Sequence, residues 1–91
     1  MPFMLSRIQV RDYDAWKPMF DQDKPGARSD AKGWRVLRNA DDPNEVFIIV
    51  EFESAEQARA AREKLLASGV LDRFEDRSGP YIAEEAEQVA S

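Results

Sequence analysis

The run from Val46 to Phe52, Val-Phe-Ile-Ile-Val-Glu-Phe, constrains the architecture of this chain more than any other segment. Its β-branched and aromatic residues suit a pleated, buried surface. Read with a period of two, Val46, Ile48, Val50 and Phe52 share one face. Glu45, Phe47, Ile49, Glu51 and Glu53 share the other. The first face is wholly apolar and predicts helices above it. The second is apolar only at its centre, with acids at both ends, so it too needs cover. A 91-residue chain has few elements to supply that second layer. Another copy of the protein is the expected source.

The flanking segments supply the remaining elements. Phe3 to Val10 reads as a first strand, with Met4, Ser6, Ile8 and Val10 on one face and Phe3, Leu5, Arg7 and Gln9 on the other. Asp12 suits an N-cap and Asp14 the first turn of a helix. Tyr13, Trp16, Lys17 and Phe20 then follow at helical spacing. Pro18 is near enough to the helix start to be tolerated, and Pro25-Gly26 should stop whatever helix remains. Residues 24–33 form a polar loop. Trp34 to Ala40 is a second strand, and Ala40-Asp41-Asp42-Pro43-Asn44 has the composition of a turn joining it to the central run as a hairpin. Ser54-Ala55-Glu56-Gln57 is a capping box that opens a second helix to about Ser68, with Gly69 beyond its end. Ala58, Ala61 and Leu65 give that helix a small-residue face. Val70, Leu71 and Phe74 predict a short turn. Tyr81 to Ala83, after Gly79-Pro80, begins a short last strand, and an acidic tail runs from about residue 84. The order β-α-β-β-α-β predicts one ferredoxin-like α+β domain, a four-stranded antiparallel sheet with two helices on one face.

Composition removes several function classes. A chain this short is near the size at which a single core becomes marginal, so dimerisation would be a natural supplement. A hydrophobic share of 43% marks a globular domain and not a disordered tail. A net charge of −5 argues against a nucleic-acid partner, which needs clustered Lys and Arg. No segment approaches the roughly 20 apolar residues of a membrane span, and the N-terminus lacks a signal peptide's basic region and apolar core. The cytoplasm is the expected location. With no cysteine there is no thiolate nucleophile or disulfide, and with no histidine there is no Ser-His-Asp triad and no His-ligated haem or zinc. No metal and no cofactor are expected.

The stretch Arg11-Asp12-Tyr13-Asp14-Ala15-Trp16 through Phe20, the stretch Arg35-Val36-Leu37-Arg38-Asn39-Ala40-Asp41-Asp42-Pro43-Asn44-Glu45-Val46, and Ser54-Ala55-Glu56-Gln57-Ala58 resemble the dimeric α+β barrel superfamily. The likeness is to its antibiotic-biosynthesis-monooxygenase-like branch. That resemblance implies a cofactor-independent oxygenase or cyclase acting on an aromatic or polyketide-like small molecule. The alternative on the same scaffold is a non-catalytic dimeric binding or accessory protein. Haem-degrading members of the superfamily bind iron through a histidine, which this chain lacks. Oxygenase members surround the substrate with Asn, Trp, Arg or Tyr, yet Asn39 and Asn44 here fall in or beside the hairpin turn.

Tyr13, Trp16 and Phe20 would line a pocket for a flat apolar ligand, or pack as core. Trp34 would gate that pocket or cap the sheet. Ser6 and Arg38 share faces with apolar neighbours and could give a ligand polar contacts. Asp21, Asp23 and Asp30 include the candidates for a general base, although solvated carboxylates are commoner. Phe3, Leu5, Leu37, Phe47 and Ile49 fall on the sheet face that two helices cannot cover. They predict a homodimer formed face to face through the open sheet, with Arg7, Gln9, Arg35 and Glu51 pairing across it.

Overall fold

Strand pairing puts the apolar run in the interior of an antiparallel sheet. The computed structural model describes residues 1–90, with β1 (Pro2–Gln9), α1 (Tyr13–Gln22), β2 (Gly33–Asn39), β3 (Asp42–Glu51), α2 (Ala55–Ala67) and β4 (Arg77–Glu84). A single 3-10 turn, Val70–Arg73, joins α2 to β4. The sheet order is β2-β3-β1-β4, so β3 has a partner on each side. Met4 faces Val50 and Ile8 faces Val46 across β1, while Val36 faces Ile48 across β2. Directly opposed residues share a face, and this face is the one under the helices. Val46, Val50 and Phe52 on it are fully buried. The fold is the ferredoxin-like α+β sandwich that the element order predicts.

Two apolar clusters fill the space between sheet and helices. One joins Met4, Val50 and Phe52 to Ala58 and Ala61 of α2. The other joins Ile8, Val10 and Val46 to Trp16 of α1 and Leu71 of the 3-10 turn. Ile48 and Leu65 border both. With alanines on its buried face, α2 lies close against β1 and β4. The ring side chains of α1 hold its backbone farther from the strands.

Local chemistry explains where the elements depart from the sequence reading. The hairpin turn is only Ala40-Asp41, because Asn39 already opposes Asp42. The Asn39 side-chain oxygen accepts from the Asp41 N–H at 2.8 Å, and the Asp42 carboxylate accepts from the Asn44 N–H at 3.1 Å. Those side-chain closures shorten the turn and leave Pro43 and Asn44 in the start of β3. Helix α1 ends at Asp23, two residues before Pro25. There φ is +45° and the Asp23 N–H returns to the Phe20 carbonyl. Strand β4 starts at Arg77, well before Tyr81. Gly79, at φ +85°, lies in a bulge opposite Ser6 that accommodates Gly79-Pro80 inside the strand. In the capping box Ser54 accepts from Gln57 N–H as predicted, but Gln57 accepts from the Glu53 N–H and not from that of Ser54.

The uncovered face carries Phe3, Leu5, Leu37, Phe47 and Ile49, and β4 adds Tyr81, which opposes Leu5. Leu37 and Tyr81 are about half exposed, at 48% and 59%. Within the chain Arg7 pairs with Glu45 at 2.5 Å and Asp76 at 2.6 Å. Gln9 likewise donates to Asp42 at 3.1 Å. No helix among the described residues is long and apolar enough to cross a membrane.

Candidate functional site

The unequal reach of the two helices leaves space at the seam between the clusters. An alanine helix closes on the sheet, whereas an aromatic one stands off it. The gap is a cavity of about 160 Å³ bounded by the sheet, the second half of α1, the following loop and the 3-10 turn. Its walls take Met4 and Val50 from one cluster, Ile8, Trp16 and Leu71 from the other, and Ile48 and Leu65 from both. Met19, Gln22, Lys24 and Arg73 are lining residues that are also solvent-exposed, so the mouth lies between the end of α1 and the 3-10 turn. Ser6 contributes the one hydroxyl of the lining among the described residues.

The loop after α1 contributes a buried cation. The Asp23 carboxylate accepts from the backbone N–H groups of Ala27 and Arg28, at 3.1 and 3.0 Å, and so folds the loop back onto the helix end. The Arg28 side chain is then only 7% exposed, with its Nε 3.7 Å from the Asp23 carboxylate. Its guanidinium also donates to the Phe20 carbonyl. Burial pushes the Arg28 guanidinium below its ordinary pKa, against the upward pull of Asp23 and Asp21. An arginine with so high a starting value remains a cation.

Arg28 also ends a stacked series along α1. The Arg38 guanidinium lies 3.9 Å from the Tyr13 ring centre. Tyr13 meets Trp16 at 5.7 Å, and Trp16 meets Phe20 at 5.0 Å. Arg28 sits 3.7 Å from the Phe20 ring and 4.8 Å from that of Trp34. All the expected site residues except Ser6 thus belong to one ladder of rings and cations. Ser6, Trp16 and Phe20 line the cavity, whereas Tyr13, Trp34 and Arg38 lie outside its lining. Trp34 is half exposed and rests against Arg28, away from the cavity walls.

The asparagines are structural. Asn44 accepts from the Tyr13 N–H and donates to the Arg11 carbonyl, tying α1 to β3. Asn39 donates to Glu45. Of the three carboxylates considered as bases, Asp21 pairs with Lys17 at 2.6 Å, Asp23 is engaged in the loop, and Asp30 is exposed. No group of three or more carboxylates among the described residues is placed to hold a metal ion.

Sequence reading missed Arg28, which it left in a polar loop, and the cavity contributions of Met19, Leu71 and Phe74. The available signal was Asp23, four residues before Ala27. An aspartate there can cap the turn that follows the helix and pull Arg28 inward.

No protein-family model matches the chain, and neither does any curated protein. Solved structures do. A Nitrosomonas europaea protein provisionally described as an antibiotic biosynthesis monooxygenase superposes with a TM-score of 0.66 at 18% identity, over 96% of this chain and 100% of that one. Rv0793 from Mycobacterium tuberculosis gives a TM-score of 0.68 at 12% identity, over 99% and 100%. Atu4242 from Agrobacterium tumefaciens gives 0.61 at 17%, over 94% of each chain. This chain has their fold. The space in this chain has Ser6 on its sheet side and Arg28 on its loop side.

Proposed function

We propose that the protein is a cytoplasmic homodimer that holds a small flat molecule in this cavity and acts on it without a cofactor, as an oxygenase or cyclase. The observation that carries the reading is the partly enclosed, mainly apolar space itself. Its volume of about 160 Å³ is close to that of an apolar cavity known to take benzene, of about 150 Å³. One aromatic ring therefore fits, and a polycyclic polyketide would need the mouth to widen. Cofactor-free chemistry on an electron-rich ring asks for a dry site, a fixed orientation and a hydrogen bond to a developing enolate or phenolate. Ser6 and Arg28 are the groups of the lining suited to that bond. The fold-level likeness to the Nitrosomonas europaea protein supports the oxygenase class.

A binding or accessory role is the second reading, and one observation favours it. The chain has no histidine or cysteine, and the one carboxylate of the lining, Asp23, is occupied with backbone N–H groups. Oxygen uptake and product mass, measured with single-ring enolisable phenols, separate the two. Turnover above that of heat-denatured protein supports catalysis; binding without turnover supports the accessory role. Trp16 links this chemistry to packing, because it both lines the space and belongs to the core. Trp16→Ala should cost about 3 kcal/mol in urea unfolding, the lower end for a large aromatic truncation, because one side of the ring already lacks neighbours. It should also weaken binding of a planar aromatic probe. Unchanged probe affinity with that loss of stability would remove Trp16 from the site.

A further inference from the structure

We propose that the ligand of this cavity is an anion, a single-ring aromatic or similarly compact apolar group bearing a carboxylate, and that Arg28 holds its charge. The proposal rests on the cavity reading above and specifies what enters. Two independent observations carry it. First, the lining holds three cations, Lys24, Arg28 and Arg73, against the single carboxylate of Asp23, in a chain whose net charge is −5. A cationic enclave in an acidic protein selects anions by long-range attraction as well as by contact.

Second, the Arg28 side chain is only 7% exposed, and the N–H groups it leaves unpaired keep contact with open space, since no fully buried side-chain nitrogen among the described residues lacks a partner. A guanidinium has five N–H donors. The Phe20 carbonyl takes one. Asp23 stands at 3.7 Å, beyond hydrogen-bond distance, and its oxygens already accept from two backbone N–H groups. The remaining donors are therefore available to an acceptor that enters the cavity. A ligand carboxylate matches the planar fork of the guanidinium, and the faces of Phe20 and Trp34 hold that fork in place. The apolar walls then receive the ring.

Phenylacetate and its uncharged isostere phenylacetamide distinguish the charge from the shape. Titrated into the intact protein by calorimetry, phenylacetate should bind at least about tenfold more tightly, the range of one charge-assisted contact. Arg28→Gln should abolish that preference, bringing phenylacetate affinity down to that of phenylacetamide in the same variant. Arg28→Lys, which keeps the charge but loses the fork, should retain part of it. Arg73→Gln, at the mouth, should change the salt dependence and leave the preference. Equal affinity of the two probes for the wild type overturns the anion proposal and leaves the cavity reading standing. Collapse of the preference in Arg73→Gln with retention in Arg28→Lys assigns the charge to the mouth and overturns the role of Arg28. If neither probe binds, the cavity reading fails and this inference with it. Should Arg28→Gln not fold, the wild-type probe ratio and Arg28→Lys still decide the matter.

Discussion

Arg7 sits beside phenylalanine and leucine on the open sheet face, and the acids around it determine what low pH does to the fold. Hydrogen bonds from Asn39 and Arg7 hold the Glu45 carboxyl below its ordinary pKa, and Arg7 does the same for Asp76. The two carboxylates in turn hold the Arg7 guanidinium well above its usual value. Groups whose folded pKa is depressed contribute stability above their unfolded pKa, here about 4, and lose it as pH falls through the folded values. Melting temperature should therefore be flat above about pH 5 and drop below about pH 4. In Arg7→Met the deficit relative to wild type should be largest near neutrality and shrink as both carboxyls protonate. A deficit that stays constant from pH 7 to pH 3 would mean that Arg7 acts through packing alone.

At the scale of elements, the strands and helices were legible because their signals are local. Alternation along Val46 to Phe52 requires only neighbours two apart, and Asp12 and Ser54 cap their own helices through nearby N–H groups. What was not legible depended on backbone conformation or on contacts distant in sequence. The sequence alone starts β4 only at Tyr81, because Gly79-Pro80 has the composition of a loop that precedes a strand. The positive φ that makes it a bulge depends on the pairing of β4 with β1. A Cβ at Gly79 would lie 2.5 Å from the Leu5 carbonyl oxygen. Gly79→Ala must therefore shift β1 or β4 as well as adopt a strained φ. We expect a loss of a few kcal/mol in chemical denaturation, in the range of other special-φ replacements. Amide exchange should rise first along β4; protection equal to wild type there would show that the bulge yields easily. The site was only half legible for the same reason. Trp16 and Phe20 declare themselves by helical spacing, whereas Arg28 enters only through the fold that Asp23 imposes on its loop.

For the whole molecule, the open sheet face is the surface that bears on assembly. Phe3, Leu5, Leu37, Phe47, Ile49 and Tyr81 lie together on it, with Leu37 and Tyr81 about half exposed, and contiguous apolar patches of this kind mark interaction surfaces. Because Arg7 and Gln9 are paired within the chain, that face can be buried without stranding their polar groups. Sedimentation at tens of micromolar should show a dimer, and Ile49→Lys should give monomer or aggregate. A monomeric wild type would mean that the face is left to solvent. The cavity at the seam of the two clusters has a different consequence, a conflict between durability and use. A chain selected only to stay folded would fill that space. Ser6→Val, with a β-branched side chain suited to a strand, should raise the melting temperature by several degrees, as cavity-filling changes commonly do. It should also exclude phenylacetate. If both outcomes hold, the serine at this position leaves the protein slightly less stable than its own fold allows and keeps the space open to something else.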